Sequence, residues 1–149
     1  MGKRAPRLRA VVVAARFNET ITKALVAGAL AALKAHGMPR ERTRVVWVPG
    51  AFELPLVAAE TAKRLRPELI VAVGCLIKGQ TPQYAAIGHA VTEGLCDVSV
   101  RSGVPIGFGV IIAESVAHAK ARAGGHRGNR GADAALAALA TARMITALT

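Results

Sequence analysis

The sequence is poor in aromatic residues, with one Trp, one Tyr and three Phe among 149 positions. That leaves few rings for base stacking, and none is interleaved with the basic clusters, so an RNA-type stacking platform is excluded. Cysteine is scarcer still. Cys75 and Cys96 are the only two; their spacing fits no metal pattern, and a chain of this size needs no disulfide to hold its core. Both thiols are expected to be buried and reduced. Acidic residues number nine against twenty Lys and Arg, a formal charge of +11. No apolar run approaches the roughly eighteen residues of a membrane span. The basic start, Met1 to Arg9, leads into a strand pattern and not into a signal-peptide core, so the expected location is cytoplasmic. Ser-His-Asp order, paired catalytic carboxylates, a dinucleotide fingerprint and a Walker loop are all missing.

What is present describes a folded chain. Hydrophobic residues make up 52% of the sequence, and a single domain over residues 1–149 would bury roughly 70% of its unfolded surface. The basic excess suits nucleic acid, an anionic substrate or the charged inner surface of an assembly. It falls in two clusters, Lys3 to Arg9 and Lys120 to Arg130. Without aromatic partners these favour nonspecific contact with nucleic acid at low salt over specific recognition.

Strand and helix patterns alternate along the chain. Ala10 to Ala15, AVVVAA, is a short continuous apolar run of the kind buried on both faces of a parallel sheet. Thr20 to His36 is amphipathic and stops at Gly37. Val45 to Val48 is a second strand, and Pro49 to Glu53 turns it into a helix reaching about Leu65. Leu69 to Leu76 is a third strand, followed by a helix to about Arg101. Ile106 to Ile112 is a fourth strand; Glu114 to Ala123 is a short helix and Asp133 to Leu148 a closing one. Four such alternations predict a parallel sheet with helices on both faces and a ligand crevice at the carboxyl ends of the strands.

The stretch Ile70 to Tyr84, IVAVGCLIKGQTPQY, organises the rest. A buried strand runs into a helix start, for which Thr81 is a suitable N-cap and Pro82 a suitable first residue. The free amides of that first turn, with Gly79 admitting close approach and Lys78 alongside, suit an anion such as phosphate. Phe17, just past the first strand, either covers a helix or stacks on a flat ligand. Asn18 either caps the first helix or bonds a ligand. Glu53 is favoured at a helix start by the dipole and also faces the expected crevice. Arg122 to Gly131 is a glycine-rich basic segment, either a solvated loop or a phosphate grip.

Taken together, Arg16-Phe17-Asn18, Val48-Pro49-Gly50-Ala51-Phe52-Glu53-Leu54-Pro55, Gly74 to Pro82, Pro105 to Val110 and Arg122 to Gly131 resemble the successive signatures of the 6,7-dimethyl-8-ribityllumazine synthase family, in its order and at its spacing. The resemblance implies a flavodoxin-like three-layer α/β/α sandwich on a four-stranded parallel sheet, assembled as a homopentamer and sometimes as a 60-subunit icosahedral shell. It implies condensation of 5-amino-6-ribitylamino-uracil with 3,4-dihydroxy-2-butanone 4-phosphate in riboflavin biosynthesis, with no metal or organic cofactor. Phe17 matches the ring that stacks on the pyrimidine, with Asn18 in the same loop. Ala51, Phe52 and Glu53 match the loop around the ribityl chain. Cys75, Leu76 and Ile77 match the strand end that reads the pyrimidine edge. Gly79, Gln80 and Thr81 match the segment that meets the phosphate, Arg122 matches the phosphate-binding arginine, and Phe108 matches a residue supplied by a neighbouring subunit.

One departure bears on the chemistry. The family writes a histidine after Thr-Pro as its proton-transfer residue, and this chain has Gln83, which hydrogen-bonds but transfers no proton near neutral pH. His126 and His89 are the nearest substitutes in kind, but His89 lies six residues along the helix from Gln83. The end of the fourth strand, Ile112-Ala113-Glu114-Ser115, also departs from the family pattern. The short leader with Pro6 favours a pentamer over a closed shell. The resemblance therefore leaves two readings, an enzyme slowed at Gln83 or a weak or silent relative serving as a scaffold or flavin-binding protein; a basic nucleic-acid-binding module is a third, less supported one.

Overall fold

A computed structural model describes residues 8–149. Its central sheet has four parallel strands in the order β2-β1-β3-β4, formed by β1 Ala10–Ala15, β2 Thr43–Val48, β3 Leu69–Ile77 and β4 Ile106–Ala113. The long helices are α1 Glu19–Ala35, α2 Leu54–Leu65, α3 Gln83–Ser102 and α5 Arg130–Thr146, with α4 Val116–Ala121 a short one. The result is a flavodoxin-like three-layer α/β/α sandwich.

The layers follow from the composition of the central strands. In β1 and β3 successive side chains point to opposite faces, and because nearly all are apolar both faces must be covered. Ala10, Val12, Ala14, Val71 and Val73 pack with α1 and α5 residues such as Leu25, Leu33, Ala135 and Leu139. Val11, Val13, Ala15, Ile70 and Ala72 pack with Leu54 and Ala58 of α2 and Val91 and Leu95 of α3. Each fully buried Val, Leu or Ile contributes about 1.5–3 kcal/mol. The small residues set how closely the layers approach. A Cβ on Gly107 would collide with the Ala134 carbonyl, and one on Gly131 with the Leu25 carbonyl, so β4, α5 and α1 meet backbone to backbone.

Several boundaries differ from the sequence reading. β2 begins at Thr43, two residues early, where Arg9 and Arg42 already exchange a backbone bond. The closing helix begins at Arg130 and not Asp133, because Asn129 caps it by accepting from the Gly131 and Ala132 amides. The basic segment after α4 is not a plain loop. It folds into a small antiparallel hairpin, β5 Ala123–Gly125 and β6 Gly128–Asn129, with Gly124 and Gly128 at positive φ. Cys75 is buried as expected, but Cys96 is exposed, since it lies on the outward face of α3. Of the basic leader, residues 1–7 lie outside the described residues, while Arg9 is already tied to the sheet through Arg42 and Glu68. Among the described residues no helix is long and apolar enough to cross a membrane.

Candidate active site

The strand order reverses direction between β1 and β3, and the carboxyl ends of β1, β2 and β3 open there into a crevice of about 350 Å³. Phe17 enters it from the end of β1. Ala51, Phe52 and Glu53 enter from a 3-10 turn after β2, and Leu76 and Ile77 from the end of β3. Gly79, Thr81 and Gln83 complete it at the start of α3. Nine sequence candidates from three separate segments thus share one cavity. Gly50, Tyr84 and Ile87 also line it and were not singled out from sequence. Gly50 belongs to the Pro-Gly turn already noted; Tyr84 and Ile87 follow from the helical period that Gln83 opens.

Phe17 and Phe52 are each 67% exposed. Rings left that open on opposite segments of one crevice offer flat apolar surface to a ligand and little to the core. Ala51 is buried beneath them and Glu53 is half-buried at the α2 start. The Glu53 Oε1 lies 3.5 Å from the place a Cβ on Gly50 would take, so the carboxylate lies close over the turn. Gly79 faces open space, with nothing within 4 Å of a Cβ built there.

The start of α3 is shifted from the sequence reading. Thr81 is not the N-cap and Pro82 is not the first helical residue. The Pro82 carbonyl accepts from the Ala85 and Ala86 amides, which makes Pro82 the cap and Gln83 the first residue of the helix. The physical reason lies in the proline itself: at φ −75° and ψ 11° it closes the turn on its own carbonyl. Pro82 has no N–H and the Ala85 and Ala86 amides are taken by its carbonyl, so the first-turn amides without an intrahelical partner are those of Gln83 and Tyr84, two residues that line the crevice.

Asn18 does not line the crevice. It adopts the left-handed conformation at φ 61° and heads α1 without a side-chain cap; its Nδ2 instead donates to the Cys75 carbonyl at 2.8 Å. Cys75 does not line the crevice: it is buried on the α1 and α5 side of the sheet, and burial pushes its thiol up to about 11, so it stays protonated at neutral pH. Gln80 is exposed in the turn before α3 and outside the lining.

Phe108 and Arg122 also stand apart. Phe108 is 42% exposed on the edge strand β4, in a groove with Arg130 and Asp133. Arg122 ends α4, where its Nη1 donates to the His118 carbonyl at 2.9 Å. None of the four histidines lines the crevice; among the described residues its ionisable side chains are Glu53 and Tyr84. Among the described residues, no three His, Cys, Asp or Glu side chains gather as a metal site would require.

The family profile described as 6,7-dimethyl-8-ribityllumazine synthase matches residues 7–146. A protein of that name from Nitratidesulfovibrio vulgaris (strain DSM 19637 / Miyazaki F) is 43% identical over 141 residues, which cover 95% of this chain and 90% of the relative. The proteins of that name from N. vulgaris strains DP4 and Hildenborough are each 40% identical with the same coverage. With a match spanning almost every element, and with the crevice formed by its own signature segments, the chain belongs to the 6,7-dimethyl-8-ribityllumazine synthase family.

Proposed function

We propose that this chain condenses 5-amino-6-ribitylamino-uracil with 3,4-dihydroxy-2-butanone 4-phosphate to 6,7-dimethyl-8-ribityllumazine, releasing inorganic phosphate and water. The observation that carries the reading is the meeting of Phe17, Phe52, Glu53 and the α3 start in one crevice of a chain of this family. Phe17 stacks on the pyrimidine, the loop of Ala51, Phe52 and Glu53 surrounds the ribityl chain, and Glu53 accepts from its hydroxyls. The amides at the start of α3, with Gly79 and Thr81, receive the phosphate, which the helix dipole favours. The pyrimidine amine attacks the ketone and a first water leaves, elimination expels phosphate, and attack of the ribitylamino nitrogen on the carbonyl that elimination uncovers closes the ring with loss of a second water. Gln83 serves by hydrogen bonding, so rate here comes mainly from holding two reactive partners together.

The site is completed by a second copy of the chain, in a homopentamer. Support comes from Phe108 and Arg122, which belong to the signature segments and yet lie away from their own crevice. Phe108 and Ile112, 42% and 44% exposed, stand on one face of the edge strand β4 and give that face an apolar patch for a neighbour. Lumazine formation followed by absorbance tests the activity, and sedimentation tests the pentamer. Co-assembled Phe17→Ala and Arg122→Ala subunits test the shared site: mixtures should regain activity that neither variant has alone, and failure of the mixture to exceed its parts would place the arginine in its own subunit's site.

A second reading is favoured by Gln83 itself. With no histidine in the crevice, the chain is a weak or silent relative that retains the assembly as a scaffold or flavin-binding protein. Lumazine formation that cannot be detected, together with intact assembly, would select it.

A further inference from the structure

The opposite end of the sheet carries another cavity of about 370 Å³, a size that accepts small ligands. It opens where β3 and β4 begin, beside Pro67 and Val104, and the last turns of α5 form one wall. Met38 and Leu139 are buried at its floor, with Ile145 at its wall. Among the described residues, its charged lining side chains are Arg9, Glu68 and Arg143.

The two arginines come from opposite ends of the chain and are held at one turn. Arg143 donates from Nη2 to the His36 carbonyl at 2.6 Å, and Nη1 of Arg9 approaches the next carbonyl, that of Gly37, at 3.5 Å. That turn ends α1, where the helix dipole favours cations. Arg9 also donates from Nε to Glu68 at 2.6 Å. Capping α1 requires only one of these guanidiniums. Two of them against one carboxylate leave an excess positive charge above an apolar floor, with N–H donors still unused on both.

We propose that this cavity is a second small-molecule site whose ligand is an amphipathic monoanion, a carboxylate gripped by Arg9 and Arg143 on a hydrocarbon body lying over Met38, Leu139 and Ile145. Guanidinium geometry matches a carboxylate, and the single excess charge balances one negative charge. Glu68 in the same mouth repels a dianion. Among the described residues Thr146 is the one uncharged polar side chain in the lining, and its hydroxyl already donates to the Ala142 carbonyl, which favours an apolar body. The nine residues of β3 separate this site from the crevice by roughly 30 Å, so the two are filled independently.

Titration of the assembled protein with octanoate, followed by calorimetry, tests the site, with octanol and inorganic phosphate as comparison probes. Octanoate should bind saturably, and octanol and phosphate roughly tenfold more weakly or worse, since a charged hydrogen bond is worth more than 1.4 kcal/mol. Arg143→Met, which retains the stem without the charge, should weaken octanoate by about tenfold. Arg9→Met should do the same while leaving the α1 cap in place, and Ala142→Phe should abolish binding by filling the space with both guanidiniums intact. Phe17→Ala, in the separate crevice, should leave octanoate binding unchanged. The proposal is overturned by octanoate that does not saturate at millimolar concentration, by octanol or phosphate binding equally well, by indifference to Arg9→Met and Ala142→Phe, or by loss of binding in Phe17→Ala.

Discussion

Asn18 and Cys75 are joined by a 2.8 Å hydrogen bond from the Asn18 amide to the Cys75 carbonyl, across 57 positions of sequence. The bond ties the end of β1 to the end of β3 where the crevice opens between them. Asn18 reaches it by adopting φ 61°, a conformation asparagine tolerates better than most residues.

Replacing Asn18 separates these two contributions. Asn18→Ala loses the bond and strains the backbone, for an expected cost of about 2 kcal/mol. Asn18→Gly loses the bond alone and should be less destabilising by about 1 kcal/mol. Urea unfolding at one fixed protein concentration measures both, and equal costs would mean that the backbone conformation contributes nothing.

Gln83 begins α3 at the crevice, at the position where the family resemblance implies a histidine. Gln83→His should raise kcat by roughly 10²-fold and add an inflection near pH 6.5 to the rate profile. A parent within a few fold of the variant, with no such inflection, would show that positioning alone supplies the rate.

Cys75 links stability to pH. Burial raises its thiol from 9.0 to about 11, so the folded state holds the proton more tightly than the unfolded state. Its contribution is therefore full below pH 9 and is lost as pH rises toward 11. Cys75→Ala should flatten the decline in melting temperature across that window relative to the parent. At neutral pH a thiol reagent should modify exposed Cys96 in the native protein and Cys75 only after unfolding.

Asn129 holds the start of α5 and its contact with α1. Its Oδ1 accepts from the Gly131 and Ala132 amides at 2.8 and 3.1 Å, and its Nδ2 donates to the Ala24 carbonyl at 3.0 Å. Asn129→Ala should cost about 1–2 kcal/mol from the cap, with more from the lost tie to α1. Asn129→Asp retains the cap and loses the tie, so its unfolding midpoint should lie between those of the parent and the alanine variant.

The order of strands and helices was readable from local pattern. Ala10 to Ala15 is apolar at every position, and such a run must be covered on both faces, which already implies a central strand in a two-sided sheet. The apolar period of α1 and the glycine at 103, at φ 73°, likewise mark helix faces and ends. The signature segments named the family because residue type and spacing carry it. Those features depend on neighbours a few residues away, and sequence displays them directly.

The tertiary structure decided what depends on distant partners. Strand order β2-β1-β3-β4 determines that the loops after β1, β2 and β3 meet, and pairing of that kind leaves no local trace. Asn18 stands at the head of α1, but its side chain tethers β3 instead of capping the helix because a carbonyl 57 residues on lies within reach. Cys96 faces outward because apolar composition sets how much of α3 is buried, and only its packing against α2 sets which side. Phe108 and Arg122 stand apart from the crevice for the same reason: a motif specifies which residues accompany one another in a family, while the paths of β4 and α4 determine where each side chain is held.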